Sequence, residues 1–289
     1  MSTFDNLKYK FQTLSIAEKL IVLNLVFFII PFFFQTLFYL FNIPSSSFLG
    51  WFQLLPDFNT LIFRPWTLFT YSFLHASFSH ILWNMVLLYF ASRMYLNLFS
   101  EQQYLKNYLL GVLVGGLVFL LGYNLFPVFE GMYPPLVGAS AGVMAILIFV
   151  ATYTPYQEVR LLFFNVKLQY IGIALVVIDI LQIPNGNAGG RLAHLGGAFV
   201  GFLYATQLQK GNDIGSFLDR IWRFLSSFFV ARKENSMRTV YRNQKATKQK
   251  NTNLQQQKID AILDKISTSG YESLTQEEKD FLFQAGKDN

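Results

Sequence analysis

Cysteine is absent from the chain, and charged residues are scarce. Without cysteine the chain cannot form a disulfide, and it lacks both a thiolate nucleophile and thiolate metal ligands. Charged residues make up only 14% of the 289 residues, whereas 53% are hydrophobic and 18% are aromatic. Such a composition is too apolar for one or two soluble domains. It therefore indicates a protein that is embedded in a membrane.

Long apolar runs indicate which segments cross the bilayer. Residues 20–53 contain no charged side chain, and about 20 apolar residues suffice to cross the hydrocarbon core. This run is longer than the apolar region of a cleaved signal peptide, so we expect it to persist as a span. In total, the sequence predicts six spans, at about residues 19–41, 79–98, 104–125, 140–153, 168–181 and 192–209.

The distribution of basic residues predicts how the chain is oriented. With six spans, all of the 23 Lys and Arg residues except Arg64 and Arg191 lie on the side that holds both termini. Loops rich in Lys and Arg stay on the cytoplasmic side of a membrane. The sequence therefore predicts that both termini are cytoplasmic.

The polar C-terminal part divides the chain into three predicted segments. Residues 1–209 form the membrane domain, residues 210–257 a basic polar linker, and residues 258–289 a small helical tail. The linker composition is typical of solvated chain that lies near anionic lipid heads. In the tail, Ile259, Ile262 and Ile266 recur at helical spacing, and Gly270 can end that helix. A second short helix can start between Ser273 and Glu277, so we expect a helical hairpin.

The three histidines, His75, His80 and His194, all lie in or beside predicted spans. A polar group in hydrocarbon needs a partner or a water-filled cavity. His80 and Asn84 are four residues apart, which places them on one helix face. Bonding between helices would explain any one of these residues alone. Taken together, they favour a polar site inside the membrane domain.

A short motif, Gly138-Ala139-Ser140-Ala141-Gly142, opens the fourth predicted span. Close helix packing in membranes also selects Gly, Ala and Ser, so the motif alone leaves packing and chemistry open. Ser140, however, stands where a helix begins, and the first backbone N–H groups of a helix are free to stabilise a developing negative charge. This is a suitable position for a nucleophile.

Small residues line one face of the sixth predicted span at four-residue spacing: Ala193, Gly197, Gly201 and Ala205. They allow close approach to the small residues that follow Ser140 on the fourth span. Such an approach would bring His194 to Ser140. A serine hydroxyl becomes a good nucleophile when a neutral imidazole accepts its proton.

Four stretches, taken together and in this order, resemble the rhomboid family of intramembrane serine proteases. They are residues 66–75 (WTLFTYSFLH), the pair His80 and Asn84, the Gly138 to Gly142 motif, and residues 193–197 (AHLGG). The resemblance implies an all-α, six-transmembrane-helix bundle in which Ser140 is the nucleophile and His194 the general base. His80 and Asn84 would donate hydrogen bonds to the oxyanion, and His75 would be structural.

The resemblance also implies the activity and its setting. We expect cleavage of single-pass membrane proteins near the outer face of the bilayer by a Ser-His dyad, without a cofactor or metal. The expected partners are transmembrane substrates and the lipid bilayer, with no nucleic acid. The tail is similar to a short C-terminal domain found on rhomboids of Bacteroidetes-like bacteria, so the expected location is the bacterial inner membrane. The substrate, the cleavage preference and the oligomeric state do not follow from the sequence.

Three positions depart from the family pattern or leave a choice open. Thr67 stands where Arg is frequent, with Arg64 as a possible substitute. Met144 stands where an aromatic residue often stacks on the catalytic histidine, and a thioether would hold the ring less firmly. Asp179 is the only carboxylate within the core spans and could orient His194. We favour bonding of Asp179 to backbone at the interface instead, because an aspartate near the outer end of a span is usually bonded there and the family works as a dyad.

Other functions remain as alternatives. A catalytically inactive relative that binds or escorts membrane proteins would typically lack the serine or the histidine, and both are present here. A transporter would be favoured by inverted repeats, which we do not find. The chain has no His-Glu-x-x-His motif, as a metalloprotease would require.

Overall fold

The computed structural model describes residues 3–43, 48–161, 163–229 and 244–285, and most of them are helical. The chain divides into two compact units, Met1–Ser226 and Ser227–Asn289. The helices up to the end of the first unit are α1 Thr3–Thr13, α2 Ile16–Leu40, α3 Phe58–Phe63, α4 Thr67–Thr70, α5 Phe78–Leu96, α6 Glu101–Leu125, α7 Ser140–Tyr153, α8 Leu168–Leu181, α9 Ala188–Gln209 and α10 Ser216–Phe229.

Side-chain caps fix where several of these helices begin. Ser15 and Glu18 form a reciprocal capping box at the start of α2, and Ser100 and Gln103 form another at the start of α6. Ser77 caps α5 by accepting a hydrogen bond from the backbone of His80. These caps satisfy backbone N–H groups that would otherwise lack partners in a poorly hydrated environment.

A helix occupies each of the six predicted spans, with boundaries that differ by a few residues. Among the described residues, α2 and α6 are long and apolar enough to cross a membrane singly. The segment Thr67–Phe73 and helix α5 form a further candidate, bent by 97°. Helices α7 and α8 are apolar but shorter. The molecule is therefore a mostly helical membrane protein, and the number of six spans stays a prediction.

Helices α6, α7 and α9 form the centre of the first unit and approach one another through small residues. A side chain at Gly197 would collide with the carbonyl of Ala141, and one at Gly201 with the carbonyl of Ala145. This confirms the predicted close packing of the fourth and sixth predicted spans, which are helices α7 and α9. The sequence did not predict that α6 also takes part in this packing. A Cβ at Gly115 of α6 would lie 2.6 Å from the Cβ of Ala141.

Aromatic residues anchor the segment between α2 and α5. The guanidinium of Arg64 lies 4.0 Å from the ring centroid of Trp51, and the indole N–H of Trp66 donates to the carbonyl of Trp51 at 2.9 Å. Thr70 donates to the carbonyl of Phe52. Large apolar side chains remain exposed here, including Phe63. Such exposure is typical of a segment whose aromatic side chains lie in the membrane interface.

Two features of the first unit were not predicted. Strands β1 Glu158–Leu161 and β2 Phe164–Lys167 form an antiparallel hairpin between α7 and α8. Helix α10 lies inside the segment interpreted as a linker. Ahead of α10, the carboxylate of Asp213 accepts from Lys106 at 3.0 Å and from Tyr204 at 2.6 Å. This network ties the end of α9 to α6.

The second unit contains the predicted helical hairpin. Helix α11, Gln244–Ser269, ends before Gly270, which has a positive φ of 80°, and α12, Gln276–Ala285, follows. Lys265 and Glu278 join the two helices by an ion pair of 2.9 Å. Helix α11 begins earlier than expected, since Gln, Lys and Ala have good helix propensity. Residues 230–243 of the interpreted linker lie outside the described residues.

Candidate active site

Ser140 is the first residue of α7, as the sequence predicts. Two backbone contacts hold the segment before this helix in place. Leu136 forms an isolated β-bridge with Leu54, and the backbone N–H of Gly138 donates to the carbonyl of Tyr71 at 3.0 Å. Ala139, at the N-cap, supplies no side-chain cap. The first N–H groups of α7 are therefore available to a bound anion.

Gly138 lies between Ser140 and His80. Its φ is 127°, a value that glycine adopts readily and other residues adopt rarely. A Cβ at this position would be 2.8 Å from both Cε1 and Nε2 of His80 and 3.6 Å from the hydroxyl of Ser140. The structure thus brings the imidazole edge of His80 and the Ser140 hydroxyl to the same glycine.

Asn84 and His75 complete the polar side of α5 and the segment before it. The Asn84 side chain is buried, and its amide donates to the carbonyl of His80 at 2.9 Å. An amide NH₂ has two hydrogens, so one donor remains. His75 is buried, its ring lies 5.0 Å from that of His80, and its Nε2 is 3.5 Å from the backbone N–H of Ala139. His75 therefore connects the α5 side to the start of α7.

His194 lies in the second turn of α9, which begins at Ala188. Neighbours of Ser140 and His194 contact one another: Gly197 meets the Ala141 carbonyl, and Gly115 lies against both Ala141 and the carbonyl of Ala193. Among the described residues, no hydrogen bond joins Ser140 and His194 directly.

Asp179 is where the structure adds most to the sequence analysis. It is buried in α8, and each of its carboxylate oxygens lies 3.1 Å from Nδ1 of His194. Arg191 donates to the same carboxylate at 2.7 Å and to the side chain of Gln182 at 3.2 Å. The preferred sequence interpretation, an aspartate bonded to backbone, is wrong. No local pattern in the sequence reveals this contact, because it depends on how α8 and α9 are rotated relative to one another.

Met144 stands one helical turn after Ser140 on α7. It is buried in a small apolar cluster with Ile148 and Ala198, against Leu175 and Val176 of α8. Ala198 stands one helical turn after His194. The thioether therefore supports the helix that carries His194, and the Asp179 contact holds the ring itself.

The described residues contain no group of three or more His, Asp or Glu side chains that could hold a metal ion. The site thus consists of a serine at a helix start, three histidines, an asparagine and an ion-paired aspartate. These polar residues lie inside a bundle of apolar helices. The fold and the site define a helical integral membrane protein with a polar interior centre.

Comparison with known proteins gives the family. The profile of the Rhomboid domain matches residues 63–210, slightly more than half of the chain, and the chain therefore belongs to the rhomboid family. Members of this family are typically intramembrane serine proteases. Residues 239–285 match a second family, which is described as of unknown function.

The similar curated proteins are eukaryotic. RHOMBOID-like protein 12, mitochondrial, of Arabidopsis thaliana is 36% identical over 161 residues, which are 51% of this chain and 48% of that protein. The human Presenilin-associated rhomboid-like protein, mitochondrial, is 29% identical over 152 residues, 51% of this chain and 38% of that protein. Presenilin-associated rhomboid-like protein A, mitochondrial, of Danio rerio is 31% identical over 156 residues. The matches span less than half the length of these relatives.

These comparisons correct one expectation. The predicted location, a bacterial inner membrane with both termini cytoplasmic, is wrong, because these relatives are named as mitochondrial proteins. The orientation rule used to predict it concerns cytoplasmic loops and does not itself identify the compartment. The Bacteroidetes-like part of the resemblance has no support among these relatives.

Proposed function

We propose that this chain is an intramembrane serine endopeptidase in which Ser140 is the nucleophile and His194 the general base. The observation that carries the proposal is the packing of α7 against α9. It places the residue after Ser140 in contact with the turn that follows His194. A serine at a helix start and a histidine on the helix packed against it, both within the low-dielectric bundle, are suited to nucleophilic catalysis.

In the proposed reaction, Ser140 attacks a substrate carbonyl while His194 accepts the hydroxyl proton. His194 then returns that proton to the leaving amine, and water hydrolyses the acyl-enzyme by the same route. The free N–H groups at the start of α7, together with His80 and Asn84, would stabilise the oxyanion. Each such donor contributes about 3–4 kcal/mol to lowering the barrier.

The substrates that fit this site are single-pass membrane proteins. The proposed six-span domain, residues 1–209, opens its polar centre near the membrane face opposite the one that carries most Lys and Arg. A substrate helix must unwind there, because helical carbonyls are already hydrogen-bonded. Helix-breaking residues near the cleavage site should therefore favour cleavage.

Labelling with a fluorophosphonate probe tests the assignment of the nucleophile. Purified protein in detergent is incubated with the probe, digested and analysed by mass spectrometry. We expect a single adduct on Ser140 in the native protein and none in Ser140→Ala or His194→Ala. Ser267→Ala is a matched control, because the Ser267 hydroxyl only bonds the carbonyl of Asp264 in the tail. Equal labelling of Ser140→Ala and the native protein would refute the assignment.

A further inference from the structure

The contact between Asp179 and His194 restricts the protonation of the imidazole. A carboxylate only accepts hydrogen bonds, so Nδ1 of His194 must carry a hydrogen when it faces the two oxygens of Asp179 at 3.1 Å. In a neutral imidazole the proton then resides on Nδ1, and the lone pair resides on Nε2. Only Nε2 is left to accept a proton from a serine hydroxyl.

Arg191 determines the state of the carboxylate. The side chain of Asp179 is 5% exposed, and burial of a lone carboxylate would favour its neutral form. Arg191 donates to it at 2.7 Å and lies one turn before His194 on the same helix. This ion pair keeps the carboxylate charged and therefore able to accept from Nδ1. Arg191 and His194 are the groups that bond to Asp179 in the described part of the chain.

The position of Asp179 also limits how the ring can move. Asp179 stands near the end of α8 and His194 near the start of α9, with the Asn185 to Gly186 turn between them. Gln182, in that connection, accepts from the other guanidinium nitrogen of Arg191 at 3.2 Å. Two helices and their connection thus hold the carboxylate against one edge of the imidazole.

We propose that Asp179, secured by Arg191, is a positioning residue that fixes His194 in the tautomer with the proton on Nδ1 and Nε2 free to accept the Ser140 proton. This inference rests on the proposed function of Ser140 and His194. It replaces a dyad by a triad in which the third member acts through the histidine. Asp179 does not touch the substrate.

A purely structural role would be the alternative, since the same contacts clamp α8 to α9. The two roles predict different effects of the substitution Asp179→Asn. The asparagine amide keeps the shape of the side chain, but its NH₂ can donate to Nδ1 and so favour the opposite tautomer. The proton on Nε2 would then face Ser140 and block its activation. If the contact only joined α8 to α9, the substitution would lower the stability of the protein and would not change the tautomer of His194.

The test combines histidine NMR with steady-state kinetics. Protein labelled with ¹⁵N-histidine has only three imidazoles, and His194→Gln assigns the signal of interest. At neutral pH we expect native His194 to show a protonated Nδ1 and an unprotonated Nε2, and Asp179→Asn to reverse them. Cleavage of a model transmembrane peptide should lose about 10²–10⁴-fold in kcat in this variant, while KM changes little.

The control is Asp213→Asn, which removes another ion-paired carboxylate, half-buried and bonded to Lys106 and Tyr204. It should leave the His194 tautomer and kcat unchanged. A native tautomer and native kcat in Asp179→Asn would overturn the positioning role. If the native protein itself fails to cleave or label while the NMR result holds, the proposed protease function fails and the contact with His194 stands.

If Asp179→Asn folds poorly, the variant Arg191→Gln provides a second test of the positioning role. It leaves both partners of the Asp179 to His194 contact in place but removes the charge that secures the carboxylate. We expect the kcat of Arg191→Gln to lie between that of the native protein and that of Asp179→Asn. An Arg191→Gln protein that is folded and as active as the native protein would also count against the proposal.

Discussion

Nδ1 of His194 lies 3.1 Å from each carboxylate oxygen of Asp179. The residues are 15 positions apart and lie on consecutive helices. This relationship gives the histidine a fixed edge toward α8 and leaves its Nε2 edge without a partner from Asp179. Four further predictions follow from the same site and its surrounding helices.

Removing an oxyanion donor should slow the chemical step. His80→Ala and Asn84→Ala are each expected to reduce kcat by about 10²–10³-fold with little change in KM, since the donors act mainly in the transition state. Steady-state cleavage of a transmembrane peptide measures both parameters. Asn97→Ala, at the exposed end of α5, is the control and should be as active as the native protein. A loss confined to KM would contradict the oxyanion role.

Gly138 should be required for space as well as for its backbone conformation. In Gly138→Ala the added methyl group would displace the His80 ring, so we expect kcat to fall at least about tenfold, as for a lost interaction of about 1.4 kcal/mol. Gly186→Ala is a matched control, because Gly186 also has a positive φ, of 99°, and nothing within 4 Å of an added Cβ. Equal activity losses in the two variants would mean that backbone strain alone accounts for the effect.

The close approach of α7 and α9 should limit stability. Gly197→Val places a branched side chain against the Ala141 carbonyl, and overpacking of this kind costs about 1–3 kcal/mol or more. Thermal unfolding in detergent should show a lower Tm than for the native protein. Phe199→Val, at a position on α9 that is 60% exposed, adds the same residue type outside the packed face. A native Tm in Gly197→Val would contradict the packing.

The ion-pair network at Asp213 should stabilise the fold in a pH-dependent way. Burial opposes ionisation of this carboxyl, but hydrogen bonds from Tyr204, Lys106 and the Gly215 backbone hold its pKa below the ordinary value. Asp213→Asn should lower the free energy of unfolding by about 1–3 kcal/mol at neutral pH.

The sign of the pH effect follows from the lowered pKa. The contribution is complete above the unfolded-state pKa of about 4 and is lost as the pH falls through the folded-state value. The gap in Tm between the native protein and Asp213→Asn should therefore narrow below about pH 4. Glu272→Gln, which removes a 96% exposed partner of Lys279, should show no gap at any pH.

Much of this arrangement follows from local sequence patterns. Apolar runs and the small-residue stripe on α9 predicted the helices and the contact of Gly197 with Ala141. The Ser140 motif predicted a helix start, because it follows Pro134 and Pro135 and opens an apolar segment. Gly270 predicted the end of α11. Each of these features is signalled by a pattern that extends over a few helical turns of a single segment.

The remaining features depend on how the helices meet in space. The Asp179 contact requires the relative rotation of α8 and α9, which spacing along the chain does not give. Helix α10 has an apolar face too short to resemble a span, and its polar residues led to its interpretation as linker. Polar and apolar residues alternate in both strands of the β1–β2 hairpin, but each strand has only four residues, the shortest run in which alternation indicates a strand. The expected bacterial inner membrane did not follow from any particular residue, and the comparison with relatives corrected it.

Cleavage in a lipid bilayer tests the central claim most directly. The protein is reconstituted into vesicles with a single-pass substrate that carries a helix-breaking residue near one membrane face, and the products are identified by mass spectrometry. We predict one main cut near that residue in the native protein, and no product with Ser140→Ala or His194→Ala. Cleavage that persists in Ser140→Ala, or an intact substrate beside a folded native protein, would contradict the account.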